Sequence, residues 1–117
     1  MSEPVVGGTP LIPMPALTPA ALRVAVAQIA PAHRPAFVEH LDRAAEQSAQ
    51  QSTIAPLRAF LQWWGEFVAV QRHPARAARL RELEAVAAEA DDREALDAAV
   101  TEIHDILAAA RREAAAS

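Results

Sequence analysis

The sequence predicts an all-α protein of about five helices packed around a central apolar helix at residues 53–72. An antiparallel helix pair closes its C-terminal half, and a flexible, disordered Pro-rich tail occupies residues 1–17. Three observations predict this. Thirty of the 117 residues are Ala, while Tyr is absent and aromatic residues make up 4%, a balance opposed to sheet, which favours β-branched and aromatic side chains. Apolar residues recur at spacings of three and four in successive segments, the period of one helix face. Prolines beyond the tail stand where helices begin or break, the positions a helix tolerates.

Residues 1–17 hold Pro4, Pro10, Pro13, Pro15 and the pair Gly7-Gly8, which forbid helix and favour extended polyproline-like chain. Val5, Val6, Leu11, Ile12, Met14 and Leu17 are nevertheless apolar, so the tail has the makings of a docking strip for a groove of the domain or of a partner. The single helical domain then spans residues 18–117. Thr18 is a suitable cap and Pro19 a suitable first residue for helix one, whose inward face is Leu22, Val26 and Ile29. Pro31 ends it. Helix two starts near Pro31 or Pro35 and carries a narrow stripe of Phe37, Leu41, Ala44 and Ala45. Its polar end, residues 46–52, is expected to fray into a loop.

Helix three is the informative one. Ser52 or Thr53 caps it, Pro56 fits its first turn, and Ile54, Leu57, Leu61, Trp64 and Val68 recur at three and four. Phe60, Trp63, Phe67 and Val70 widen the face, leaving Arg58, Gln62 and Glu66 as a polar strip. So apolar a helix is buried on most sides, which places both tryptophans in the core. Gly65 inside it costs roughly 1 kcal/mol relative to Ala and implies a close approach. His73-Pro74 opens helix four, with Leu80, Leu83, Ala87 and Ala90 facing inward. Asp91 followed by Glu94 reads as a capping box for helix five, whose stripe is Leu96, Val100, Ile103, Leu107 and Ala110.

Composition removes several function classes. Zero Cys excludes a disulfide scaffold, thiol catalysis and Cys-based zinc sites. The N-terminus lacks a positive region ahead of an apolar core, and residues 54–70 are too short and too charged to span a bilayer; a soluble cytoplasmic protein is expected. All eleven basic residues are Arg and none is Lys, a usage that fits a GC-rich genome and makes an isolated Arg weak evidence of function. No HExxH, nucleophile elbow or phosphate-cradling Gly loop occurs. Asp97, Thr101 and His104 share a helical face, but two ligands and a hydroxyl are too few for a metal site. His33 and His40 read as surface residues. The expectation is a protein that is not an enzyme and needs no cofactor.

Charge is laid out less evenly. Residues 72–81 hold Arg72, Arg76, Arg79 and Arg81 with no acid, whereas residues 82–105 hold nine acids against Arg93 alone. Folding helices four and five together brings those arginines near Arg111 and Arg112. The opposite tip gathers Glu89, Asp91, Asp92, Glu94 and Asp97. Dipole compensation at helix ends is the simplest reading; a protein-binding patch and contact with nucleic-acid phosphates are the others.

The order Thr18-Pro19 with Leu22-Arg23, then Pro31, Arg34 and Phe37, then Leu57, Phe60, Leu61 and Trp64 is similar to a family of small helical proteins of unknown function from high-GC Gram-positive bacteria. The similarity spans residues 16–72. Some of those proteins are encoded beside small toxins of the RelE/ParE type, so the resemblance implies an antitoxin-like, partner-binding role. The leading expectation is contact with a protein partner, such as a basic toxin, through Glu89, Asp91, Asp92, Glu94 and Asp97 and through Leu11, Ile12 and Met14. The alternative is a DNA-associated regulator using Arg72, Arg76, Arg79, Arg81, Arg111 and Arg112. A homodimer paired through helix five is a further possibility.

Overall fold

A computed structural model describes residues 9–116. Among them are five α-helices and no strand: α1 (Pro19–Ile29), α2 (Arg34–Gln51), α3 (Ala55–Gln71), α4 (Pro74–Glu89) and α5 (Arg93–Ala115), with a single 3-10 turn, Pro31–His33, before α2. The start of α1 follows from its side chains: the Thr18 hydroxyl accepts from the Ala21 N–H at 3.2 Å, and Pro19 occupies the position that needs no donor.

Helix α3 packs against each of the other four helices, α1 packs on α2 and α4 on α5, and the two pairs do not touch one another. The central position expected of residues 53–72 therefore holds, and α3 is the helix that joins the halves. On one side lies a cluster of Leu22, Val26, Phe37, Phe60, Trp64 and Val68; on the other, a smaller one of Ala69, Val70, Ala77 and Ala110. The second is built of small side chains, so α3, α4 and α5 approach closely.

Four expectations need correction. The tail of residues 1–17 is not loose where it is described. Ile12, Met14 and Leu17 pack on the core, with Met14 touching both clusters. The Leu11 N–H donates to the Arg72 carbonyl at 2.8 Å, and Arg72 Nη1 donates to the Ile12 carbonyl at 3.3 Å. Proline-rich chain has no internal hydrogen bonds, and this strap takes its partners from the end of α3. Val5, Val6 and the Gly pair lie outside the described residues. Second, residues 46–51 stay helical. Ser52 closes α2 in the left-handed region, φ 54° and ψ 44°, and the Thr53 N–H reaches back to the Ser48 carbonyl at 3.1 Å, a Schellman closure that satisfies the end of the helix. Third, α5 is capped by Asp92, whose Oδ1 accepts from the Ala95 N–H at 2.8 Å; the cap lies one residue beyond Asp91, so Glu94 falls out of capping-box register. Fourth, Trp64 is buried but Trp63 is 55% exposed, and Ile54 is exposed as well.

Gly65 has the close approach its position implied. A Cβ there would lie 2.6 Å from Leu17 Cδ2 and 3.4 Å from the Ala114 Cβ. Gly65→Ala is expected to displace the end of the partly buried Leu17 side chain, and the burial given up offsets the helix-propensity gain of about 1 kcal/mol. In a Leu17→Ala background the same change has nothing to displace, and the full stabilisation of about 1 kcal/mol is expected. Urea unfolding of the four proteins reads the cycle; an equal effect in both backgrounds would show that Leu17 is not what excludes a Cβ.

Candidate protein-binding face

Adjacent residues on a helix point about 100° apart. Phe60, Trp64 and Val68 stand four apart and face the core, so Trp63 is turned outward. It packs against two neighbouring rings all the same. It stacks on Phe67 at 5.8 Å with an interplanar angle of 8°, and meets Trp64 edge-on at 4.6 Å. The ring is thus a large, pre-ordered aromatic surface with few rotamers left to lose on binding.

Trp63 and Glu66 together form a ridge between two grooves. One, of about 540 Å³, is lined by Leu17, Ala59, Gln62 and the C-terminal end of α5 at Arg111, Ala114 and Ala115. The other, of about 390 Å³, contains Phe67, Val70, Leu80, Arg81, Glu84 and Leu107. Ala77, Leu80, Arg81 and Glu84 on its wall are successive turns of α4, so this groove runs toward Glu89 and the hairpin tip, roughly 7.5 Å further on at 1.5 Å per residue.

At that tip Glu89, Asp91, Asp92, Glu94 and Asp97 are all exposed. Asp92 is engaged as the cap of α5; none of the five forms an ion pair among the described residues.

The opposite end differs. Glu113 of α5 accepts from Arg72 at 2.9 Å and from Arg76 at 2.7 Å, and Arg76 also caps the Ala69 carbonyl at 3.1 Å. Hydrogen bonds from these arginines hold the Glu113 carboxyl down to about 2. Burial, with the charges of Arg76 and Arg72, lowers the His73 pKa from 6.5 against the pull of Glu113. Arg79 makes a two-pronged contact with Glu102, both bonds 2.8 Å, and a further bond to Glu82. Bonding to Arg79 lowers the Glu102 pKa. Arg111 pairs with Glu66 at 2.8 Å. Of the six arginines expected to form a basic end, Arg81 and Arg112 have no ion-pair partner among the described residues.

Of the three apolar tail residues expected to meet a partner, Leu11 is 58% exposed, but Ile12 and Met14 are occupied by the protein's own core. His40 is not a surface residue either: it is half-buried on α2 and accepts a hydrogen bond from Trp64. Asp97, Thr101 and His104 are exposed, and no group of three or more His, Asp or Glu among the described residues is placed to hold a metal ion. Nor is any described helix long and apolar enough to cross a membrane.

Comparison of the chain with protein-family models, with curated proteins and with solved structures found no match.

Proposed function

We propose that this is a non-catalytic protein–protein interaction protein whose partner is basic. Trp63 is the observation that carries the reading. A tryptophan more than half exposed, on a helix whose other aromatic rings are covered or half covered, and flanked by two grooves, is the side chain that most often dominates an interface. Charge supplies the sign of the partner. Among the described residues the acids at the hairpin tip lack counter-ions, whereas most arginines at the opposite end are neutralised by Glu113, Glu102 and Glu66. An apolar segment of the partner would seat against Trp63, and cations on it would face Glu84 and the tip. The specific version is an antitoxin-like protein covering a basic toxin, as the family resemblance implies. Arginines already engaged within the fold offer little to phosphates, which favours this reading over a DNA-associated one.

The test is affinity capture from the native cell, followed by binding kinetics with the retained protein. Trp63→Ala is expected to weaken binding by about 2 kcal/mol, roughly 30-fold in Kd. Neutralising Glu89, Asp91, Glu94 and Asp97 together, with the Asp92 cap kept, is expected to slow association about tenfold and flatten its salt dependence. An acidic partner, a partner indifferent to Trp63, retardation of duplex DNA at low salt, or a dimer that Trp63→Ala splits would each overturn the proposal.

A further inference from the structure

We propose that the hydrogen bond from Trp64 to His40 is a pH-sensitive latch between α2 and α3, which opens when His40 takes up a proton. Trp64 is buried at 2% exposure, and its indole Nε1 donates to His40 Nδ1 at 2.9 Å. An indole N–H is a donor and nothing else, so His40 must present a lone pair at Nδ1 and carry its proton on Nε2. The imidazolium has an N–H at both nitrogens and no acceptor. Turning the ring over therefore does not restore the bond: protonation sets donor against donor and leaves a buried indole N–H unpaired.

Among the described residues no ion pair offers the cation a counter-charge. From α3, His40 meets Phe60 edge-on at 5.0 Å, Trp63 at 6.1 Å and Trp64 at 6.4 Å, all uncharged. Among the described residues, the charge acting on it is Arg43, three residues along its own helix; α1 and the Pro31–His33 turn bring none. Burial first and Arg43 second lower its pKa from 6.5. The folded state thus holds its proton less tightly than the unfolded chain. The contribution of the latch is whole above about pH 6.5 and is lost as pH falls through that value toward the lowered one. Because α1 and α2 touch the rest of the helices through α3 alone, loosening this bond loosens that half of the protein. The latch belongs to the free protein and does not depend on any partner.

The indole cross-peak of Trp64 in a ¹H–¹⁵N spectrum reads it, with Trp63→Phe assigning the two indoles. Between pH 7.5 and 5 the peak is expected to move away from its hydrogen-bonded position, with the same midpoint as the His40 ring and below 6.5. His40→Asn keeps an acceptor near the δ position without a titrating group, so in that variant the peak stays put and the fall of thermal midpoint over this range is smaller. Every other titratable group is the same in both proteins, so its contribution cancels in the comparison. Trp64→Phe is expected to shift the His40 midpoint upward, since no bond remains to be lost. A Trp64 peak that stays still while His40 titrates would overturn the latch. So would one that moves equally in His40→Asn, or loss of structure at the same pH in both proteins.

Discussion

Phe60→Ala is expected to destabilise the protein by about 4 kcal/mol and to lower its thermal midpoint by roughly 20 °C. The side chain is fully buried, and its ring meets Phe37 at 5.1 Å and His40 at 5.0 Å, both edge-on. Truncation removes the transfer energy of the ring and leaves a cavity that α1, α2 and α3 close only partly, because each is held by other contacts. In a domain whose whole stability is of order 5–15 kcal/mol, that loss is large but survivable. Trp63→Ala, three residues on, deletes a larger side chain and is expected to cost no more than about 1 kcal/mol, since over half of the ring already faces water. Paired thermal melts decide between the two faces. If Trp63→Ala proves the more damaging, α3 is rotated by about 100° from the register described, and the exposed aromatic at the centre of the candidate face disappears with it.

That same pair of positions shows what was legible in the sequence. The four-residue row of Phe60, Trp64 and Val68 is visible in the letters and identifies the buried edge of α3. Trp63 breaks from that row, but a segment apolar on so many sides hides the break, since a widened face and an exposed aromatic look alike in one dimension. The start of α1 was legible, because Thr18 caps through its own hydroxyl, three residues from the N–H it serves; the start of α5 was legible only to within one residue, because Asp91 and Asp92 are equally suitable caps by type. The stop at Ser52 was not, because a serine in left-handed backbone carries no mark that a glycine there would have carried. Nor was the docking of the strap, whose partner is the Arg72 carbonyl some sixty residues away. The charge layout was half legible. The clustering of arginines could be read, but the acids that neutralise them come from facing helices. Glu102 and Glu113, eleven residues and three turns apart, share one face of α5, and that spacing was the available signal.

Glu113 is where those distant contacts converge, and Glu113→Gln is expected to destabilise the protein by about 2 kcal/mol. A carboxyl held from 4.5 down to about 2 corresponds to roughly 3 kcal/mol at 1.36 kcal/mol per pKa unit. Part of that is screened, since the side chain is 28% exposed. The amide keeps the shape and one acceptor but leaves Arg72 and Arg76, at 12% and 23% exposure, without a counter-charge. The sign of the pH dependence is set by the direction of the shift. A depressed carboxyl contributes its full stability above pH 4.5 and loses it as pH falls toward about 2. Urea unfolding across that window is therefore expected to slope for the native chain and to be flatter for Glu113→Gln. Glu102→Gln, in the exposed Arg79 network, is expected to leave stability nearly unchanged and serves as the control. The loss has a place as well as a size. Arg72 holds Glu113 with one guanidinium nitrogen and the Ile12 carbonyl with the other, while its own carbonyl accepts from Leu11. Hydrogen exchange at the Leu11 N–H is expected to accelerate in Glu113→Gln more than exchange in the middle of α2. Equal acceleration at both would mean that Glu113 supports the bundle as a whole and not the strap laid across it.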